Sequence, residues 1–156
     1  MLEYLYYYCG GYFGPNERLI IKQHNEGYDL DYCRYYQDYV DNGVPHFKGR
    51  WSKAYFNRWY QKLKIIGIER WKDKYWEDAC DGEQWELRFK FENEEQRIIS
   101  GDNAYPDNWE QFQRLMKTIA KRLPSVGFMT INQSARLFYG DFKNKETEVD
   151  QGWTSN

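Results

Sequence analysis

Alternating apolar and polar positions predict β-strands in the first part of the chain. Residues 2–9 are rich in tyrosine and leucine and end at a glycine pair, which is typical of a strand. The pattern in residues 17–24 and 27–36 predicts the two arms of a hairpin, with its turn at 25–27. In the second arm, side chains alternate between two faces: Tyr28, Leu30 and Tyr32 on one, Asp29, Asp31 and Cys33 on the other.

A helical period replaces this alternation after residue 52. Ser52 can cap a helix that Gly67 ends, and the helix has an apolar stripe formed by Tyr55, Phe56, Trp59, Leu63 and Ile66. Residues 68–74 predict a short strand, followed by a loop. The clearest strand is 85–91, whose odd-numbered positions are all apolar, and 96–100 is its predicted antiparallel partner.

The segment SGDNAYPDNW, at 100–109, predicts the joint between this second hairpin and a second helix. Asp107 with Glu110 has the spacing of a capping box, and Pro124 would end the helix. The apolar stripe is Trp109, Phe112, Leu115, Ile119 and Leu123. Residues 126–142 predict a last strand or an irregular segment.

These elements predict an α+β fold, with antiparallel sheet packed against two main helices. Their order, three strands and a helix taken twice, suggests a duplicated β-β-β-α arrangement. We expect a single domain at 1–143 and a polar, flexible tail at 144–156.

Composition makes the expected core aromatic. The 156 residues include seven Trp, fifteen Tyr and nine Phe, and such rings serve both cores and binding surfaces. Cys9, Cys33 and Cys80 form no CxxC pair, which indicates free thiols in a reducing compartment. The sequence contains neither a membrane-spanning run nor a signal-peptide pattern, so we expect a cytoplasmic protein that does not bind membranes.

Known chemical motifs do not occur in the sequence. His24 and His46 are the only histidines, without metal-ligand spacing, and the chain contains no nucleophile elbow and no phosphate loop. The acidic set Glu77, Asp78, Asp81, Glu83 and Glu86 does not fit a calcium loop. We therefore predict no metal, no cofactor and no catalytic residue, although a hydrolase using the loop around Asp81 stays an alternative.

Charge is distributed in blocks. Residues 48–74 hold nine basic and two acidic residues, whereas 1–47 hold three basic and seven acidic ones. In the basic segment 48–76, cations such as Arg58 and Lys62 alternate with rings, a composition that suits single-stranded nucleic acid. The same rings also fit a core stripe, and the cations would then be its solvated side or would meet an acidic protein surface.

Four motifs of the chain are GGYFGP, IERWKDKYW, the pattern DG..W.L and, most specific, G.NAYP.NW. In these motifs the chain resembles a family of small bacterial and phage proteins, chiefly from Gram-positive organisms, that has no agreed activity. Proteins of this kind often occupy the working surface of a host protein, including nucleic-acid-guided defence nucleases.

The leading hypothesis is a non-enzymatic protein that binds another protein through an exposed sheet face and its loops, with an anti-CRISPR-like inhibitor as one form. The alternative is an accessory protein that binds nucleic acid through 48–76. A homodimer through a tyrosine-rich edge at 2–9 is a further expectation. Candidate partner contacts are Tyr6, Tyr8, Tyr28, Tyr32, Arg58, Lys62, Trp71, Tyr75 and Trp76.

Overall fold

The computed structural model describes residues 1–11, 14–35, 44–78, 82–120 and 125–129. Within these ranges the chain has the predicted α+β class, with one eight-stranded sheet and two helices. The strands are β1 Leu2–Gly11, β2 Asn16–His24, β3 Gly27–Tyr35, β4 Val44–Ser52, β5 Lys74–Trp76, β6 Glu83–Phe91, β7 Arg97–Asp102 and β8 Ser125–Met129. The helices are α1 Lys53–Ile66 and α2 Trp109–Ala120. The predicted tail at 144–156 lies outside the described residues.

The strands follow the order β5-β7-β6-β1-β2-β3-β4-β8 across the sheet. All neighbouring pairs are antiparallel except β5 and β7, which run parallel. β1 therefore lies inside the sheet, hydrogen-bonded to β2 on one side and to β6 on the other. The prediction that residues 2–9 form an open edge for a homodimer is wrong, because both edges of β1 are already paired.

Both helices pack on the same face of the sheet. Phe56 of α1 stacks on Tyr28 of β3 with ring centroids 3.4 Å apart, and Phe112 of α2 meets Tyr7 of β1 edge-on at 5.3 Å. Strand register places Tyr7 and Tyr28 on one face. These four side chains are at most 1% exposed, so this helix-covered face holds the core. We call the opposite face, on which no described helix packs, the open face.

The ends of α1 are as predicted. The Ser52 side chain accepts a hydrogen bond from the Tyr55 amide at 3.3 Å, and the Gly67 amide donates to the Leu63 carbonyl at 3.1 Å. Gly67 has the left-handed conformation, with φ 69° and ψ 52°, which glycine adopts without steric cost. Among the described helices, neither is long and apolar enough to cross a membrane.

Gly67→Ala should lower the free energy of unfolding by about 1–2 kcal/mol, because an L-residue is disfavoured at this φ. The added methyl group would also meet the Arg70 guanidinium. Urea unfolding of the variant tests this, with Ala54→Ser on the exposed side of α1 as the control for a small change near the helix. A Gly67→Ala protein as stable as the wild type would contradict the left-handed cap.

Several predicted elements differ from those observed. The connection before Ser52 contains β4, which the alternation did not predict because Pro45 and Gly49 interrupt it. The predicted strand at 68–74 is a 3-10 turn, Ile68–Arg70, and the strand begins only at Lys74. The duplicated β-β-β-α arrangement is not confirmed: four strands precede α1, and a single sheet joins both halves.

The start of the second helix also differs. α2 begins at Trp109, so Asn108, and not Asp107, precedes its first residue. The Asn108 side chain accepts from the Trp71 indole at 2.9 Å and donates to the Ile66 carbonyl at 2.6 Å. The joint at 100–109 therefore ties α2 to the end of α1 as well as to the sheet.

Candidate functional site

A groove of about 670 Å³ lies on the open face where β1, β6, β7 and β5 run side by side. Strand register brings Tyr8, Glu86, Ser100 and Lys74 into one row across these four strands. A second row contains Gln84, Asp102 and Trp76. We call this the aromatic groove; it is lined by Tyr6, Tyr8, Lys74, Tyr75, Trp76, Gln84, Trp85, Glu86, Ser100, Gly101 and Asp102.

Trp76 is the main accessible ring of the aromatic groove. Its side chain is 71% exposed at the end of the edge strand β5. Tyr8 is fixed by its hydroxyl, which donates to Asn16 Oδ1 at 3.0 Å, and the Arg88 guanidinium lies 5.5 Å from the Tyr6 ring centroid. Tyr75 packs against Trp85 on the core side, with centroids 5.7 Å apart. The groove therefore combines one accessible indole with ordered aromatic walls.

Acidic residues dominate the charge around Trp76. Glu77 and Asp78 follow it in the chain and are exposed, and the Glu77 amide donates to the Asp102 carbonyl at 3.0 Å. Within the described residues, Glu77, Asp78 and Asp102 form no salt bridge, whereas Glu86 is paired with Arg88 at 2.6 Å. Lys74 is the cation that lines the groove. The rim thus carries three carboxylates that form no salt bridge within the described residues, together with the Lys74 cation.

The candidate contacts predicted from sequence separate into three groups. Tyr6, Tyr8, Tyr75 and Trp76 line the aromatic groove, but Tyr6 is only 9% exposed and the Tyr75 ring lies on the core side. Arg58 and Lys62 are exposed on α1, on the other side of the sheet. The remaining three lie in the core and are at most 6% exposed: Tyr28, Tyr32 and Trp71. We exclude these three from the contact set, because the Tyr28 ring stacks on Phe56, Tyr32 packs against Phe47, and Trp71 packs against Trp85 and Phe112.

Seven groove residues were not among the candidates: Lys74, Gln84, Trp85, Glu86, Ser100, Gly101 and Asp102. Gln84, Ser100 and Asp102 point to the open face from β6 and β7. The alternation along 85–91 indicates which residues face outward there. It does not show which strands are neighbours, and so it could not bring Ser100 and Asp102 beside Trp76.

A second cleft, of about 380 Å³, lies near the end of β1 and is lined by Cys9, Gly11, Gly14, Pro15, Glu17, Arg34, Gly82, Glu83, Asn103, Gln113 and Lys117. Burial, with a smaller contribution from Glu83, raises the pKa of the Cys9 thiol to about 12. Burial also raises the pKa of Tyr7, beside Cys9, far above its ordinary value. A thiol is reactive when its pKa is lowered, so Cys9 has the properties of a structural cysteine and not of a nucleophile.

Alkaline pH should destabilise the protein. Burial raises the pKa of Cys9 to about 12, of Cys33 to about 11 and of Tyr28 to about 12. At a pH above the ordinary values of these groups, the unfolded chain releases protons that the folded chain retains. The free energy of unfolding therefore falls from about pH 9 until the raised pKa values are reached.

Urea unfolding at a series of pH values from neutral to about 10 measures this effect. Cys9→Ala removes one of the buried thiols, so its stability should fall less steeply over the same interval. Equal slopes for the variant and the wild type would contradict the burial of this thiol.

The acidic residues do not form a two-carboxylate site in the described structure. Glu83 and Glu86 lie three positions apart on one strand and so point to opposite faces of the sheet. Glu83 accepts a hydrogen bond from the Tyr105 hydroxyl at 3.1 Å, and Glu86 pairs with Arg88. Asp81 lies outside the described residues. Among the residues that the structure covers, no group of three or more His, Cys, Asp or Glu could hold a metal ion.

The fold and the groove together define an α+β protein with helices on one face of its sheet and an aromatic groove on the other. No protein-family model matches the chain, and no curated protein matches it either. The resemblance to the family of small bacterial and phage proteins stays a prediction.

Proposed function

We propose that this protein is a non-enzymatic binding protein that attaches to a basic surface of another protein through the aromatic groove. The single observation that carries the proposal is the position of Trp76, 71% exposed on the edge strand of a groove that Tyr6 and Tyr8 also line. Tryptophan and tyrosine are over-represented among residues that dominate binding energy. A large, solvent-exposed tryptophan side chain at the rim of a groove is well positioned to be buried by a partner.

Charge determines the kind of partner. Glu77 and Asp78 follow Trp76 in the chain, Asp102 is its partner on β7, and none of the three makes a described ion pair. Arginine and lysine side chains of a partner would find carboxylates to pair with and an indole face that attracts cations. A nucleic-acid backbone would be repelled by the same rim. The aromatic groove therefore suits a protein surface rich in arginine or lysine.

The finer form of the proposal is an inhibitor of a nucleic-acid-guided defence nuclease. Such nucleases hold their nucleic acids in positively charged channels, and an acidic, aromatic groove is complementary to surfaces of that charge. Adding the wild-type protein to a purified RNA-guided nuclease should reduce target cleavage, whereas the Trp76→Ala variant should reduce it much less. Equal inhibition by the two proteins would contradict a role for the groove.

Site-specific cross-linking tests the general proposal. A photo-reactive amino acid at position 76 should link the protein to one discrete partner in bacterial lysate. The same amino acid at Ile65, which is 78% exposed on α1, is the matched control. The captured protein must then bind the unmodified chain in purified form. Capture from position 65 as efficiently as from position 76 would contradict the proposal.

The alternative, nucleic-acid binding through 48–76, has one observation in its favour. α1 contains no acidic residue, and Lys53, Arg58, Lys62 and Lys64 make no ion pair within the described structure. Against it, Trp51, Trp59 and Trp71 are at most 9% exposed and so are not available for base stacking. Binding of single strands that weakens steeply with salt and with Arg58→Gln would favour this alternative.

A further inference from the structure

A small cleft of about 250 Å³ lies on the helix-covered side of the sheet, between α1 and α2. Its walls are Trp51, Tyr55, Arg58, Trp59, Lys62 and Thr118. The sheet separates this cleft from the aromatic groove, so a ligand of the cleft is independent of the function proposed for that groove.

Trp59, one of the walls of the cleft, carries a hydrogen-bond donor that lacks an acceptor. The Trp59 side chain is 6% exposed, and its indole nitrogen is buried without a hydrogen-bond partner. Buried polar groups are nearly always paired, and each exception needs a physical reason. The Thr118 hydroxyl donates to the Leu115 carbonyl at 2.7 Å and does not serve as the acceptor of the indole, which has no hydrogen-bond partner.

Two uncompensated cations, Arg58 and Lys62, line the same cleft. Arg58 and Lys62 are four positions apart on α1, so they are neighbours on the helix surface, and like charges at this spacing repel each other. No described carboxylate pairs with either one. The Arg58 guanidinium lies 5.2 Å from the Tyr55 ring centroid, a contact that holds it at the cleft.

We propose that this cleft binds a phosphate group, held by the Trp59 indole N–H and by the side chains of Arg58 and Lys62. A phosphomonoester carries a charge of about −1.5 to −2 at neutral pH and three strong acceptor oxygens. It therefore neutralises both cations, where a carboxylate would neutralise one, and it supplies the acceptor that the indole lacks. The group can belong to a free phosphorylated metabolite or to the 5′ end of a nucleic acid.

NMR titration of the indole N–H signals tests the proposal, with the Trp59 signal assigned as the one missing from Trp59→Phe. Inorganic phosphate added at constant ionic strength should shift this signal saturably, with half-saturation at millimolar concentration or below. Arg58→Gln and Lys62→Gln should each weaken binding about tenfold, which corresponds to about 1.4 kcal/mol. Lys64→Gln, which removes a cation from the other flank of the same helix, should bind phosphate like the wild type.

Two results of the titration would overturn the proposal. One is a Trp59 signal that does not move with phosphate; the other is an equal loss of binding in the Lys64, Lys62 and Arg58 variants, which indicates diffuse attraction. Binding of an oligonucleotide that carries a 5′-phosphate, compared with binding of the same oligonucleotide without it, distinguishes a nucleic-acid end from a free metabolite as the source of the phosphate. Tighter binding of the phosphorylated form supports a nucleic-acid end, binding of inorganic phosphate alone supports a metabolite, and equal binding of both oligonucleotides contradicts recognition of a phosphomonoester.

Discussion

Phe112→Ala should lower the free energy of unfolding by about 3–5 kcal/mol, the usual cost of removing a fully buried phenylalanine. The Phe112 side chain has no exposed surface, and its ring lies between Tyr7 of β1 and Trp71 after α1, at centroid distances of 5.3 and 5.2 Å. Removing it leaves a cavity where α2 meets the sheet. For a domain stable by roughly 5–15 kcal/mol, this loss is a large fraction of the total.

Chemical unfolding followed by tryptophan fluorescence measures the change. Gln111→Ala is the matched control, because this neighbour in α2 is exposed, and substitution there should change stability by less than about 0.5 kcal/mol. A loss below about 1 kcal/mol for Phe112→Ala would mean that α2 does not pack on β1 as described.

Trp76→Ala should weaken binding to the protein partner by about 2 kcal/mol or more, or about 30-fold in Kd. The indole would be buried on binding, while its partners in the free protein are few because 71% of its surface is exposed. For the same reason the substitution should leave stability unchanged within about 0.5 kcal/mol. We therefore expect a loss of affinity without a loss of stability. A purely structural role for Trp76 would not produce this combination.

Calorimetric titration with the partner captured by cross-linking checks this prediction. Ile65→Ala removes an equally exposed apolar side chain from α1, on the opposite side of the sheet, and should bind like the wild type. Asp102→Asn keeps the shape of the groove but removes one of its charges, and should weaken binding more at low salt than at high salt. Equal affinities for Trp76→Ala and the wild type would contradict the proposed contact.

Local patterns predicted the elements whose structure depends on near neighbours. The alternation of 85–91 corresponds to β6, and the pair Ser52 and Gly67 bounds α1 as its chemistry requires. β4 was missed because Pro45 and Gly49 are poor strand residues, and pairing with β3 and β8 overrides their preference. The α+β class could be predicted, whereas the order of the strands could not.

The candidate site, like the fold, has features that local patterns predict and features that depend on long-range strand pairing. Alternation in 27–33 separates Tyr28 and Tyr32 from Asp29 and Asp31 but does not say which set meets the helices, and both tyrosines proved to be core. Tyr8 and Trp76 line one groove only because β6 and β7 lie between β1 and β5 in the sheet. A site assembled from four strands, one of them parallel, depends on long-range pairing that no local pattern records.

Hydroxyl-radical footprinting of the free protein and of its complex tests the central claim most directly. In the free protein Trp76 and Ile65 should both react readily, since they are 71% and 78% exposed. In the complex we expect Trp76 to be shielded and Ile65 to react as before. Unchanged oxidation of Trp76 together with shielding of Ile65 would contradict binding through the aromatic groove and would place the partner on α1.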